Sequence, residues 1–305
     1  MKNSSQQRPV RILLADDGSK HSRAAASLIR DLPLPADSEI VAIAVLSPLQ
    51  ASEHGIFEAN LDRTKAFFGE KGIEARTELL LGYPAQVLVN YADDFKPDLI
   101  VMGAKGLRAT LGILLGGVAQ QVVEYANWPV LVVRAPYPGL KRILLVTDGS
   151  EFSQCALEYL SGLERVRIPL PANVEVNVMH VLPPVIESHM LDQYWPAGSE
   201  TIFPSQSYPV LERHARPEEQ EKEGKRLLDR TIKTLVASGI QTTSVLARGD
   251  AATEIIRYVR ENDVNLIVAG SRGLGQVRGW LLGSVSRKLV HYAGCSVLIV
   301  KEAAD

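Results

Sequence analysis

The run GSRGLGQVRGWLLGSVS, residues 270–286, places Gly270, Gly273 and Gly283 ahead of Ser284, Val285 and Ser286. Glycine lets a ligand approach the main chain without meeting a side chain. A serine opening a helix adds a hydroxyl to the free N–H groups and positive dipole end found there, a combination suited to phosphate. The spacing predicts Ser284 as the N-cap of a helix over SVSRKLVHYA, with Arg272 as the nearby cation. Asp148, in VTDGS, ends an earlier apolar run. If these runs are neighbouring strands, its carboxylate faces the same crevice and can accept from an adenine amine or a ribose hydroxyl. The plainer alternatives are that the glycines serve turns and close helix packing, and that Asp148 or Ser150 only caps the next helix.

Other chemistries find less support. GLGQVRG has three residues between its last glycines, where a dinucleotide fingerprint wants two, and no GxxxxGK[ST] occurs. The histidines at 21, 54, 180, 189, 214 and 291 lack metal-ligand spacing. Cys155 and Cys295 read as small buried hydrophobes rather than nucleophiles. Neither Ser150 nor Ser284 comes with a base placed by a motif, so no enzyme is expected, although slow nucleotide hydrolysis with Mg2+ is left open.

These residues need a frame, and the chain supplies it twice. VRILLADDGSKHSRAA (10–25) returns as KRILLVTDGSEFSQCA (141–156), DLIVMGAKG (98–106) as NLIVAGSRG (265–273), and WPVLVV (128–133) as CSVLIV (295–300). Short apolar runs alternate with longer stretches of helical period, the βαβ pattern of a parallel sheet covered on both faces. The fold class is α/β, with two five-stranded parallel sheets. Strands are expected near 10–16, 39–46, 75–81, 98–103 and 129–134, and again near 141–147, 173–181, 241–247, 265–270 and 295–300. Pro84 fits a first helical turn, and Asp250 a cap for the helix carrying Ile255, Ile256 and Val259. RAPYPGLKR (134–142) reads as the linker between domains 1–138 and 139–305. The proline- and serine-rich stretch 183–213, with Trp195, Phe203 and Tyr208, reads as a long surface loop, lid or partner site. The charged run after it reads as a half-solvated helix with Leu227, Leu228, Ile232, Leu235 and Val236 inward.

Composition agrees with this frame. The 305 residues are 46% hydrophobic and 22% charged, with a formal net charge of −2. Such a balance provides no broad positive field for nucleic acid. The start MKNSSQQRPV does not read as a signal peptide and no long apolar span occurs, so a cytoplasmic protein away from membranes is expected.

The motif G-x2-G-x9-G-[ST], carried by Gly270, Gly273, Gly283 and Ser284, and the strand-end Asp148 resemble those of the universal stress proteins, in their tandem two-domain form. The resemblance runs from Val10 to Val300. It implies the adenine nucleotide alpha hydrolase-like fold, strand order 3-2-1-4-5 in each domain, and ATP in the crevice. Adenine would lie near Asp148 and the backbone of Val181, and phosphates on Gly273, Gly283, Ser284, Val285 and Ser286. The first copy keeps Asp17, Val45, Gly103, Gly106 and Gly116, and has Lys105 for Arg272. It replaces the hydroxyls with Gly117 and Ala119, which predicts weaker nucleotide binding there. The resemblance also implies a stress-response regulator with an unknown protein partner, an internal pseudo-dimer formed through the last strands, and a homodimer left open. The alternative is a nucleotide-free interaction scaffold of the same fold.

Overall fold

The computed structural model describes residues 9–106, 114–162, 170–185, 217–274 and 282–301. The first half runs β1 (Arg11–Ala15), α1 (Lys20–Asp31), β2 (Glu39–Leu46), α2 (His54–Gly69), β3 (Ala75–Leu81), α3 (Pro84–Phe95), β4 (Leu99–Gly103), α4 (Gly117–Tyr125) and β5 (Val130–Val133). The second half runs β6 (Arg142–Val146), α5 (Glu151–Ser161), β7 (Glu175–Leu182), α6 (Pro217–Ala237), β8 (Thr242–Arg248), α7 (Ala251–Glu261), β9 (Leu266–Gly270), α8 (Ser284–Tyr292) and β10 (Ser296–Val300). Local chemistry sets several of these boundaries. Pro84 opens α3, and Asp250 caps α7 by accepting from the Thr253 N–H at 3.0 Å.

The strands lie in the order β3-β2-β1-β4-β5-β10-β9-β6-β7-β8. The two expected sheets are therefore joined edge to edge into one. Every pairing is parallel except the seam, where β5 and β10 run antiparallel with Leu131 opposite Leu298. Pairing these apolar strands removes two edges that would otherwise be open to association. Side chains alternate across the sheet: Ile12 and Leu14 enter one core with α1, α2, α5 and α6, while Leu13 enters the other with α3, α4, α7 and α8. Leu131 and Leu298 share the first core, and Val132 and Val297 the second, so both layers continue across the seam.

This topology makes a crevice in each half. β1 and β4 are neighbours, but α1 and α4 leave them toward opposite faces, and β6, β9, α5 and α8 repeat the arrangement. Chain segments diverge there, outside the carboxyl ends of the strands. Because the seam is antiparallel, the two crevices open at opposite strand ends of the sheet.

Some expectations need revision. Val236 is exposed although its stripe-mates Leu228 and Leu235 are buried, because it turns outward in the last turn of α6. Cys155 is only half-buried, whereas Cys295 is buried and its thiol is pushed up to about 12 by that burial. Residues 186–213 of the expected loop, including Trp195, Phe203 and Tyr208, lie outside the described residues, as do His189 and His214.

Candidate functional site

In the second half, β6 ends at Val146 and the chain turns through Thr147, Asp148 and Gly149 into α5. Ser150 is the N-cap, accepting from the Ser153 N–H. Asp148 has a different task. Its Oδ1 accepts from the Ser150 N–H at 3.0 Å and the Ser150 hydroxyl at 2.6 Å, while Oδ2 accepts from the Leu274 N–H at 2.9 Å. The carboxylate thus ties the end of β6 to the loop after β9. A Cβ on Gly273 would lie 2.4 Å from Asp148 Oδ2, so the bare glycine is what permits this approach.

The other motif positions divide by task. A Cβ on Gly270 would stand 2.4 Å from the Phe152 carbonyl oxygen, so this glycine seats α5 against β9. Gly283, rather than Ser284, is the N-cap of α8, because it is Gly283 that takes the extended φ −66°, ψ 156°. Its N–H donates to the Ser271 carbonyl at 2.8 Å, folding the loop end back on its start. Ser284 is the first helical residue and exposed, Val285 is half-buried, and Ser286 is buried. The Ser286 hydroxyl donates to the Gly270 carbonyl at 2.7 Å. Its one proton is thereby used, leaving only acceptor capacity. Arg272 lies 5.3 Å from the Phe152 ring centroid, with its Nε buried and without a hydrogen-bond partner among the described residues. Val181 is half-buried near the end of β7, opposite Ala247 of β8. Beside it, His180 Nδ1 meets the Thr147 carbonyl at 2.8 Å, which fixes the proton on Nδ1. Gly275, Arg278 and Gly279 lie outside the described residues.

The first half builds the same frame with other side chains. Asp17 Oδ1 accepts from the Ser19 N–H at 3.0 Å, and a Cβ on Gly106 would fall 2.6 Å from Asp17 Oδ2. Gly103 seats α1, where a Cβ would lie 2.7 Å from His21 Cβ. Gly116 is the N-cap of α4 and donates its N–H to the Ala104 carbonyl. Between these elements lies a cavity of about 340 Å³, with Val45, Leu88 and Met102 in its walls and Asp16, Asp17 and Lys105 among its polar lining.

Sequence comparison matches both halves, residues 10–134 and 139–301, to the model of the universal stress protein family. The chain belongs to that family. Universal stress protein YxiE of Bacillus subtilis is 29% identical over 166 residues, covering 52% of this chain and 98% of the relative. Universal stress protein MJ0531 of Methanocaldococcus jannaschii is 36% identical over 140 residues, covering 41% of this chain and 82% of the relative. The crystal structure of a universal stress protein from Archaeoglobus fulgidus has the same fold, with a TM-score of 0.63, 20% identity, and 96% of each chain covered.

The two universal stress protein units are clamped by residues whose role was not evident from the motifs. Arg134, in the expected linker, donates through Nη1 to the Leu114 carbonyl at 2.8 Å. Its Nη2 donates to the Val290 and His291 carbonyls of α8 at 2.8 and 3.1 Å. Lys301 holds the corresponding place after β10 and donates to the Glu124 carbonyl at 3.3 Å, while Arg287 meets the Glu124 carboxylate at 3.1 Å. The buried Tyr159 hydroxyl of α5 donates to the Asp98 carbonyl of the first half. Burial, and secondarily the positive Arg272, bring Lys301 down to about 8 against the opposing pull of Glu124. The sequence signal for the clamp was the recurrence of a basic residue after each last strand.

Among the described residues no helix is long and apolar enough to cross a membrane, and no group of three or more His, Cys, Asp or Glu side chains is disposed to hold a metal.

Proposed function

We propose that the second half binds ATP and that its occupancy, rather than its turnover, is the output of this universal stress protein. The observation that carries the reading is the exposed Ser284 in the first turn of α8, a helix with no side-chain cap. Gly273, held under Asp148, keeps the neighbouring main chain bare. First-turn amides without an intrahelical partner, an added hydroxyl and the nearby Arg272 cation suit phosphate oxygens. Asp148 retains acceptor capacity on Oδ2 for a ribose hydroxyl or base amine, and the backbone near Val181 offers a further contact to the base. Gly270 and Ser286 support the seat from beneath, through packing and through the internal hydroxyl bond. Mg2+, which coordinates phosphates with few protein ligands, would arrive with the nucleotide.

Both Asp148 oxygens are engaged, which argues against its serving as a general base and favours a regulator over an enzyme. Nucleotide that binds better to one arrangement of the second half shifts the population toward it, and a protein partner reading that surface responds. We place this activity in the cytoplasm. The test is to saturate the purified chain with ATP, denature it, and count released adenine nucleotide by chromatography. About one equivalent per chain is expected. None, after titration, would favour a nucleotide-free scaffold.

A further inference from the structure

We propose that Lys288 is a specificity-determining residue of the second half, one that leaves Asp250 for the terminal phosphate of a bound nucleotide and thereby ranks the triphosphate above the diphosphate. The inference rests on the nucleotide reading of the second half. It deepens that reading by naming the group that senses the last phosphate and the contact that breaks when it does.

The internal repeat locates the pair. In the first half the cavity at the carboxyl ends of the strands is walled by Pro84 and Leu88 of α3 on one side and by Gly117 and Val118 of α4 on the other. In the second half α7 and α8 take those places, with Asp250 capping α7 and Ser284 opening α8. The Lys288 ammonium lies 3.4 Å from Asp250 Oδ2, so an ion pair joins the starts of the two helices across the mouth of the crevice. The first half has Gln121 and Tyr83 at the matching positions, which cannot form such a pair.

Three features suit Lys288 to exchange partners. It stands one turn after Ser284 on the same face of α8, and helical side chains lean toward the helix N-terminus, where the phosphate would sit. The pair is open to water, with 51% of the lysine side chain and 56% of the aspartate exposed, and such pairs are worth little beside a charge-assisted bond to phosphate. Asp250, finally, does not depend on the lysine. Its Oδ1 accepts from the Thr253 N–H at 3.0 Å and from the Thr253 hydroxyl at 2.7 Å, so the cap of α7 remains when Lys288 leaves. Those bonds, ahead of Lys288, hold the Asp250 carboxyl below its usual range, and it stays ionised without the lysine. Once Lys288 is on phosphate, the start of α7 presents a carboxylate freed of its cation. The triphosphate and diphosphate forms then show a protein partner different surfaces.

The test measures ATP and ADP affinity of the full chain by calorimetry, in the wild type, in Lys288→Met, Lys288→Arg and Asp250→Asn, and in the double variant Lys288→Met with Asp250→Asn. Asparagine keeps a capping oxygen and both positions are exposed, so each variant should unfold at nearly the wild-type midpoint. Lys288→Met should weaken ATP about tenfold and ADP by less than about threefold, while Lys288→Arg retains the preference for ATP. Asp250→Asn should tighten ATP about threefold when Lys288 is present and leave it unchanged in the double variant, because the gain comes from freeing the lysine. Equal losses of ATP and ADP in Lys288→Met, or the same gain from Asp250→Asn with and without Lys288, would overturn the proposal while leaving nucleotide binding intact. A wild type that binds neither nucleotide would overturn the reading of the second half and this one with it.

Discussion

At the end of β1 the chain carries Asp16 and Asp17; at the end of β6 it carries Thr147 and Asp148. In both halves the second of these residues braces a turn, and in both a glycine lies against its carboxylate, Gly106 in one and Gly273 in the other. The frame is therefore retained wherever backbone meets backbone or carboxylate. What differs is the side chains around the crevice: Met102 and Gly117 in one half, Ala269 and Ser284 in the other, while Asp16 is bound to Gly18 and Thr64 and Thr147 to Ser153. The two copies share the residues that the fold requires and differ in the side chains around the crevice.

The most severe way to probe that division is to fill the glycines that face Asp148 and Asp17. Gly273→Val should lower ATP affinity by 100-fold or more, about 2.7 kcal/mol, because Asp148 cannot stay where it is. Gly106→Val should change ATP binding less than threefold, as calorimetry would show. Equal losses in the two variants would mean that the halves act as one nucleotide site. The seating glycines test the shared frame instead. Gly270→Ala drives a methyl into the Phe152 carbonyl and should cost about 3 kcal/mol in denaturant unfolding; Gly103→Ala should cost a comparable amount against His21.

Smaller effects separate the clamp's two arms. Arg134→Met releases three carbonyls, Leu114, Val290 and His291, and should cost about 2 kcal/mol. Lys301→Met removes one long hydrogen bond and a buried amine already pushed down by burial, so its unfolding midpoint should stay nearly unchanged. A larger loss from Lys301→Met than from Arg134→Met would reverse this ranking. The two site serines differ in the same manner. Ser286→Ala should cost about 1 kcal/mol in stability with little change in ATP affinity, since its proton is spent on Gly270. Ser284→Ala should weaken ATP about tenfold and leave stability within about 0.5 kcal/mol, because its side chain is exposed.

The strands were legible because residues buried on both faces must be continuously apolar: EIVAIAVL reads as β2 and is observed at Glu39–Leu46. That Asp148 and the end of β9 at Gly270 share one crevice was also legible, since adjacent strands at a point of chain divergence bring their ends together, but the contact with Gly273 was not. Packing decided what spacing could not. Gly270 looks like a ligand contact until Phe152 is placed against it, and Ser284 looks like a cap until the backbone shows Gly283 taking that conformation. The direction of the Ser286 hydroxyl and the reach of Arg134 across the seam depend on elements far away in sequence, which no local pattern encodes.

The smallest expected effect separates the halves by pH. His21 occupies in α1 the place that Phe152 occupies in α5, so only the first half carries a titratable ring against its glycine loop. Its Nδ1 accepts from the Ala135 N–H at 2.9 Å, which requires the neutral ring. Burial first, then Lys20, Lys105 and Arg134, hold its pKa below the usual 6.5. The unfolded chain therefore binds the proton more readily than the native one, and native stability is full above about pH 6.5 and declines as the pH falls through the lower folded value. His21→Asn retains an acceptor for Ala135 but removes the titration. Its unfolding free energy should follow the wild type near pH 7.5 and fall less steeply below pH 6.5. If both proteins lose stability at the same rate on acidification, the acid sensitivity lies outside the loop of the first half.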